Sequence, residues 1–147
     1  MHAGNYFDDI SESPMDKLII DPTVFTPKVI LDHEEHFMEI GGESRPQDVR
    51  EFYHPVVEWM NDYSQRLLDS DDIRDPVVIN FNFNYFNSGS AKCILDICKI
   101  LAKLRSREID AFARWHYEKG DDDMLEAGRE IARIVNLPFE FIESEMR

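Results

Sequence analysis

The stretch "VVINFNFNYF", Val77 to Phe86, constrains the fold of this chain more than any other. Val77, Ile79, Phe81, Phe83 and Tyr85 alternate with Val78, Asn80, Asn82, Asn84 and Phe86. Successive side chains of a strand point to opposite faces, so a period of two predicts a strand. One face is apolar and the other is polar through its middle. A doubly wound parallel sheet would bury both faces. The three asparagines therefore predict a sheet with helices mainly on one side.

The rest of the chain supplies its neighbours. "KLII" (Lys17 to Ile20) reads as a short strand. "KVILDHEEHFMEI" reads as two strands, Val29–Asp32 and His36–Ile40, around the polar turn His33-Glu34-Glu35, with Gly41-Gly42 ending the hairpin. Val49, Phe52, Val56, Met60, Tyr63 and Leu67 recur at helical spacing and predict a helix from Gln47 to Leu68. Ile94, Ile97, Cys98, Leu101 and Leu104 mark a second helix. "EIDAFARWHYE" alternates again, and "GDDDMLEAGREIARIV" opens a third helix with acids that suit its dipole. "FEFIE" closes the chain as a strand. The order predicts a single α/β domain over residues 17–147 with a mixed central β-sheet. Residues 1–16 are polar, acidic and aperiodic and predict a flexible N-terminal arm, with Tyr6, Phe7 and Ile10 able to dock.

The 147 residues suffice for one domain with a real core. A formal net charge of −14 argues against nucleic acid or an anionic membrane as partner. No apolar run approaches the ~20 residues of a membrane span. The N-terminus lacks a basic and then apolar leader, so a cytoplasmic protein is expected. Cys93 and Cys98 are five apart and do not share a helix face, which predicts two buried, reduced thiols.

Asn87, Ser88 and Ser90 sit where the asparagine strand gives way to a helix. Their oxygens suit helix capping, at roughly 1 kcal/mol per cap. The same junction also suits a phosphate, because a helix N-terminus offers free N–H groups and the positive dipole end. Gly89 thins the backbone for the approach of a partner. Spacing does not separate capping from modification.

"FNFNYFNSGSAKCILDI", with "TPKVILD" before it and "RWHYEKGDDDMLEAGREIARIV" after it, resembles the SiaC family of bacterial regulatory phosphoproteins from about Thr26 to Glu143. The resemblance implies a STAS-like fold, similar to anti-sigma-factor antagonists. It implies a phosphoacceptor directly after the asparagine that ends the strand, which is Ser88, with Ser90 as second choice. Asn84, Asn87, Gly89 and Ser90 then shape the acceptor loop. The implied circuit has a Ser/Thr protein kinase, a PP2C-like phosphatase and a target such as a diguanylate cyclase, bound and activated by the unphosphorylated form. No catalysis and no cofactor are implied.

Other constellations carry less. His33 and His36 bracket two glutamates, but the spacing suits a turn better than a metal site. "GDDDM" lacks the alternating acids of a calcium loop. Asn80, Asn82, Arg114 and His116 are candidates for a partner surface, unless the arm or a loop covers them. No nucleophile elbow, P-loop, HExxH or dinucleotide fingerprint occurs. The alternative from a different class is a small-ligand or nucleotide-binding domain using the loop at 84–90.

Overall fold

The computed structural model describes residues 15–72 and 74–145. Nine elements follow in chain order: β1 (Leu18–Ile20), β2 (Lys28–Asp32), β3 (Phe37–Ser44), α1 (Val49–Leu68), β4 (Val77–Phe86), α2 (Ser88–Ser106), β5 (Ala111–Glu118), α3 (Asp122–Val135) and β6 (Phe139–Ser144). The strands form one sheet in the order β1-β2-β3-β4-β5-β6. The first three are antiparallel neighbours and the last four run parallel. The sheet is therefore mixed, as the sequence predicts.

This order explains the one-sided architecture. Each βαβ crossover is right-handed for reasons of strand twist. Three crossovers that advance the sheet in one direction must leave all three helices on the same face. Val29, Leu31, Ile40, Ile79, Phe81 and Trp115 are fully buried on that face, beneath Val56, Ile94, Ile97 and Leu101 of the helices. Trp115 sits among Phe81, Phe83, Phe86 and Phe139, and its indole N–H donates to the Met124 carbonyl at 2.9 Å. The opposite face carries Lys28, Glu39, Asn80, Asn82 and Arg114, none of them buried.

Four expectations need correction. Gly41-Gly42 does not end β3, which runs on to Ser44. A Cβ on Gly41 would lie 2.5 Å from the Asn82 carbonyl oxygen, so this glycine lets β3 and β4 approach. Tyr85 does not share the apolar face. Gly42 pairs with Phe83 but Glu43 pairs with Tyr85, which makes Asn84 the extra residue of a β-bulge. The bulge turns Tyr85 outward and sends Phe86 into the ring cluster around Trp115. Helix α1 starts at Val49, because the Asp48 side chain caps it by accepting the Glu51 N–H. Cys98 is buried, with its thiol pKa pushed up by burial, but Cys93 is only half-buried.

Residues 1–14 of the expected arm, with Tyr6, Phe7 and Ile10, lie outside the described residues. Its last two residues belong to the domain. Met15 is buried in the core, and the Asp16 carbonyl accepts the Trp59 indole N–H at 2.8 Å. Among the described residues no helix is long and apolar enough to cross a membrane.

Candidate functional site

The junction of β4 and α2 lies at the C-terminal edge of the parallel strands, beside the end of β3. Asn87 is the N-cap of α2, and its Oδ1 accepts the Ser90 N–H at 2.8 Å. The Asn87 N–H donates to the Ser44 carbonyl at 3.0 Å, tying this junction to the last residue of β3. Capping is thus real, and Asn87 performs it.

The two serines have opposite surroundings. Ser90 is fully buried, and its Oγ lies 2.8 Å from Ser44 Oγ and 3.1 Å from the Ser44 carbonyl. Ser44 Oγ lies 2.6 Å from the Tyr53 hydroxyl, which reaches in from α1. Burial pushes the Tyr53 hydroxyl up to about 12, against the pull of its hydrogen bond to Ser44. Ser88, the first residue of α2, is exposed. None of the hydrogen bonds that hold the junction uses its side chain.

Electrostatics separate this helix from the others. Helix α1 carries Glu51 in its first turn and α3 carries Asp122 and Asp123, but α2 has no acid there. Its positive dipole end is not offset by a carboxylate of its own. Lys92, one turn after Ser88, is on the same helix face.

Gly89 has a packing role that its sequence position does not reveal. A Cβ there would lie 3.1 Å from Val49 Cγ2, so the glycine seats α2 against α1. Asn84 is exposed on the bulge and lines a shallow cleft of about 260 Å³ with Pro22, Lys28, Glu39 and Asn82.

The proposed partner-surface residues lie on the open sheet face but away from the junction. Asn80 pairs in register with Arg114, and its amide links His116 Nε2 at 2.9 Å to the Met38 carbonyl at 3.2 Å. Arg114 forms an ion pair with Glu140 and lies over the Phe112 ring. Asn80 is six residues before the end of β4, or ~20 Å along the strand. The structure does not bring these residues to Ser88.

The predicted turn at His33-Glu34-Glu35 is present, closed by Asp32 Oδ1 accepting the Glu34 and Glu35 N–H groups. Among the described residues no three His, Cys, Asp or Glu side chains are placed to hold a metal. An open groove of about 910 Å³ runs along the first turns of α1, from Pro46 to Pro55, beside the junction. Doubly wound sheets bind ligands in a crevice where the strand order reverses. Here the order runs monotonically, and among the described residues no such reversal occurs. Ser44 and Tyr53 were invisible as site residues in the sequence, because only the β3–β4 pairing brings Ser44 to Ser90 and only the packing of α1 on α2 brings Tyr53 there.

Comparison with known proteins agrees with this fold. The family model for the SiaC family regulatory phosphoprotein matches residues 20–144. An uncharacterized protein of Pseudomonas aeruginosa (strain UCBPP-PA14) is 26% identical over 125 residues, covering 85% of this chain and 94% of its own. The crystal structure of apo-SiaC from Pseudomonas aeruginosa superposes with a TM-score of 0.72 at 25% identity, over 87% of this chain and 99% of that one. SiaC in its complex with the diguanylate cyclase SiaD, which it activates, has a similar fold, with a TM-score of 0.74 at 24% identity over 86% and 99%. A one-sided mixed sheet and a family match over most of its length lead to one conclusion: this chain belongs to the SiaC family of regulatory phosphoproteins.

Proposed function

We propose that this protein is a non-catalytic cytoplasmic regulator, switched by reversible phosphorylation of Ser88. The unphosphorylated form binds and activates a diguanylate cyclase. A Ser/Thr protein kinase adds the phosphate and a PP2C-like phosphatase removes it. The carrying observation is the division of labour at the junction. Asn87 caps the helix and Ser90 is buried, while Ser88 is exposed and spared both tasks.

Family membership supports the regulatory role. SiaC of Pseudomonas aeruginosa is the activator of the cyclase SiaD, which supports a cyclase as target here. Phosphorylation adds nearly two negative charges at a surface site. Desolvating that dianion inside a docking patch costs several kcal/mol unless a cation meets it. Each 1.4 kcal/mol is about tenfold in affinity. One phosphate therefore suffices to release a partner without refolding the domain.

Two measurements test this. Phosphopeptide mass spectrometry on protein isolated from its host reads the tryptic peptide from Asp75 to Lys92, which carries both serines. Phosphate on Ser88 is expected, and its absence in every growth condition with clean coverage sinks the switch. Binding to the host's diguanylate cyclases should survive Ser88→Ala and weaken at least tenfold in Ser88→Asp. Equal affinity of the two variants counts against the mechanism.

A further inference from the structure

The buried hydroxyls beside Ser88 form an ordered chain, and counting hydrogens gives its direction. Each hydroxyl has one hydrogen to donate. Ser90 gives its hydrogen to the Ser44 carbonyl at 3.1 Å, and Ser44 gives its own to Ser90 Oγ at 2.8 Å. The 2.6 Å contact between Ser44 and Tyr53 must then be donated by Tyr53. The order is Tyr53 to Ser44 to Ser90 to the Ser44 carbonyl, which also receives the Asn87 N–H. Ser44 and Ser90 are 0% exposed and Tyr53 is 1% exposed. Three elements, α1, β3 and α2, are pinned at one point.

We propose that Tyr53, Ser44 and Ser90 are positioning residues that decide which hydroxyl is modified: by holding Ser90 inward, they leave Ser88 as the one presented. This rests on the phosphorylation of Ser88 proposed above. The physical reason is helical geometry. Residues turn by about 100° each, so Ser88 lies roughly 200° around the helix from Ser90. Pinning one inward aims the other outward. Helix ends fray when their terminal contacts are lost. Without the pin, the first turn of α2 rotates and opens, and Ser90 Oγ becomes reachable.

The test is the ratio of phosphate on Ser90 to phosphate on Ser88 in the Asp75–Lys92 peptide, measured for full-length protein expressed in its host. The wild type should carry its phosphate almost entirely on Ser88, with a small measurable fraction on Ser90. Tyr53→Phe removes the head of the chain, and Ser44→Ala removes its middle link. The ratio should rise several-fold in Tyr53→Phe and further in Ser44→Ala. Amide exchange at Ser90 and Ala91 should quicken by roughly fivefold or more in Tyr53→Phe, as befits one lost hydrogen bond. Leu137→Ala, a core truncation in the loop between α3 and β6, beside Arg105 at the far end of α2, controls for general destabilisation and should leave the ratio unchanged. Should Ser44→Ala fail to fold, Tyr53→Phe carries the test, since it keeps the ring.

Phosphate on Ser88 with the same ratio in wild type and folded variants overturns the positioning role and leaves the switch standing. A ratio that rises equally in Leu137→Ala also overturns it. A wild-type peptide without phosphate in any growth condition removes the switch itself, and the positioning role with it.

Discussion

Ser44 and Ser90 are 46 residues apart in the chain, yet their hydroxyl oxygens lie 2.8 Å apart with no exposure to solvent. The contact joins the end of one parallel strand to the start of the helix that follows the next. The donor order at this contact sets the energetic consequences of breaking it.

Removing an acceptor strands a buried hydrogen, whereas removing the first donor strands only a lone pair. Ser44→Ala leaves the Tyr53 O–H without its acceptor, and Ser90→Ala does the same to the Ser44 O–H. Each should cost ~1–3 kcal/mol, the penalty of an unmade buried bond. Tyr53→Phe should cost about 1 kcal/mol. Urea unfolding of the three variants checks the ranking.

Tyr53 should also make stability fall at high pH. Its hydroxyl titrates at 10.0 when unfolded and at about 12 in the fold. The folded state therefore holds its proton longer, and the contribution is complete below pH 10. Between pH 10 and 12 the unfolded state releases the proton first, which favours unfolding. The loss should reach ~2–3 kcal/mol by pH 12, at 1.36 kcal/mol per unit. The wild type, ahead by about 1 kcal/mol below pH 10, should meet Tyr53→Phe within this window and fall below it by pH 12, measured by denaturant titration at each pH.

Two glycines should resist even alanine. A Cβ on Gly128 would lie 2.5 Å from the Trp115 indole, which is locked among aromatic rings and cannot yield. A Cβ on Gly41 would lie as close to backbone. Gly128→Ala should cost ~1–3 kcal/mol by overpacking, despite alanine's better helix propensity. It should also perturb the near-ultraviolet signal of Trp115. Gly41→Ala should loosen the β3–β4 pairing, seen as faster amide exchange in both strands.

The N-terminal boundary gives a truncation test. Removing residues 1–16 deletes buried Met15 and the carbonyl that binds Trp59, whereas removing 1–14 spares both. The longer truncation should be less stable than the shorter by ~1.5–3 kcal/mol, the worth of one buried methionine. Thermal unfolding of the two proteins compares them directly.

Local pattern carried far in this chain. Alternation in Val77 to Phe86 identified the strand, the asparagines identified the open face, and helical spacing identified α1, α2 and α3. Asn87, Ser88 and Ser90 were legible as a junction with chemistry. The failures share a cause. Gly41-Gly42 looks like a hairpin end, but its purpose is close approach to Asn82, a partner 41 residues away. Tyr85 continues the apolar alternation on paper, but the bulge at Asn84 reverses it.

The sequence by itself determined the elements, the one-sided sheet and the place where a hydroxyl meets a helix start, because these depend on periodicity and on neighbours a few residues apart. Only the tertiary structure decided which serine faces water. That choice depends on Ser44 and Tyr53 converging on Ser90 from two other elements. A hydroxyl does not announce its partner in the chain. It is assigned one when the sheet pairs, and burial then makes every unpaired donor costly.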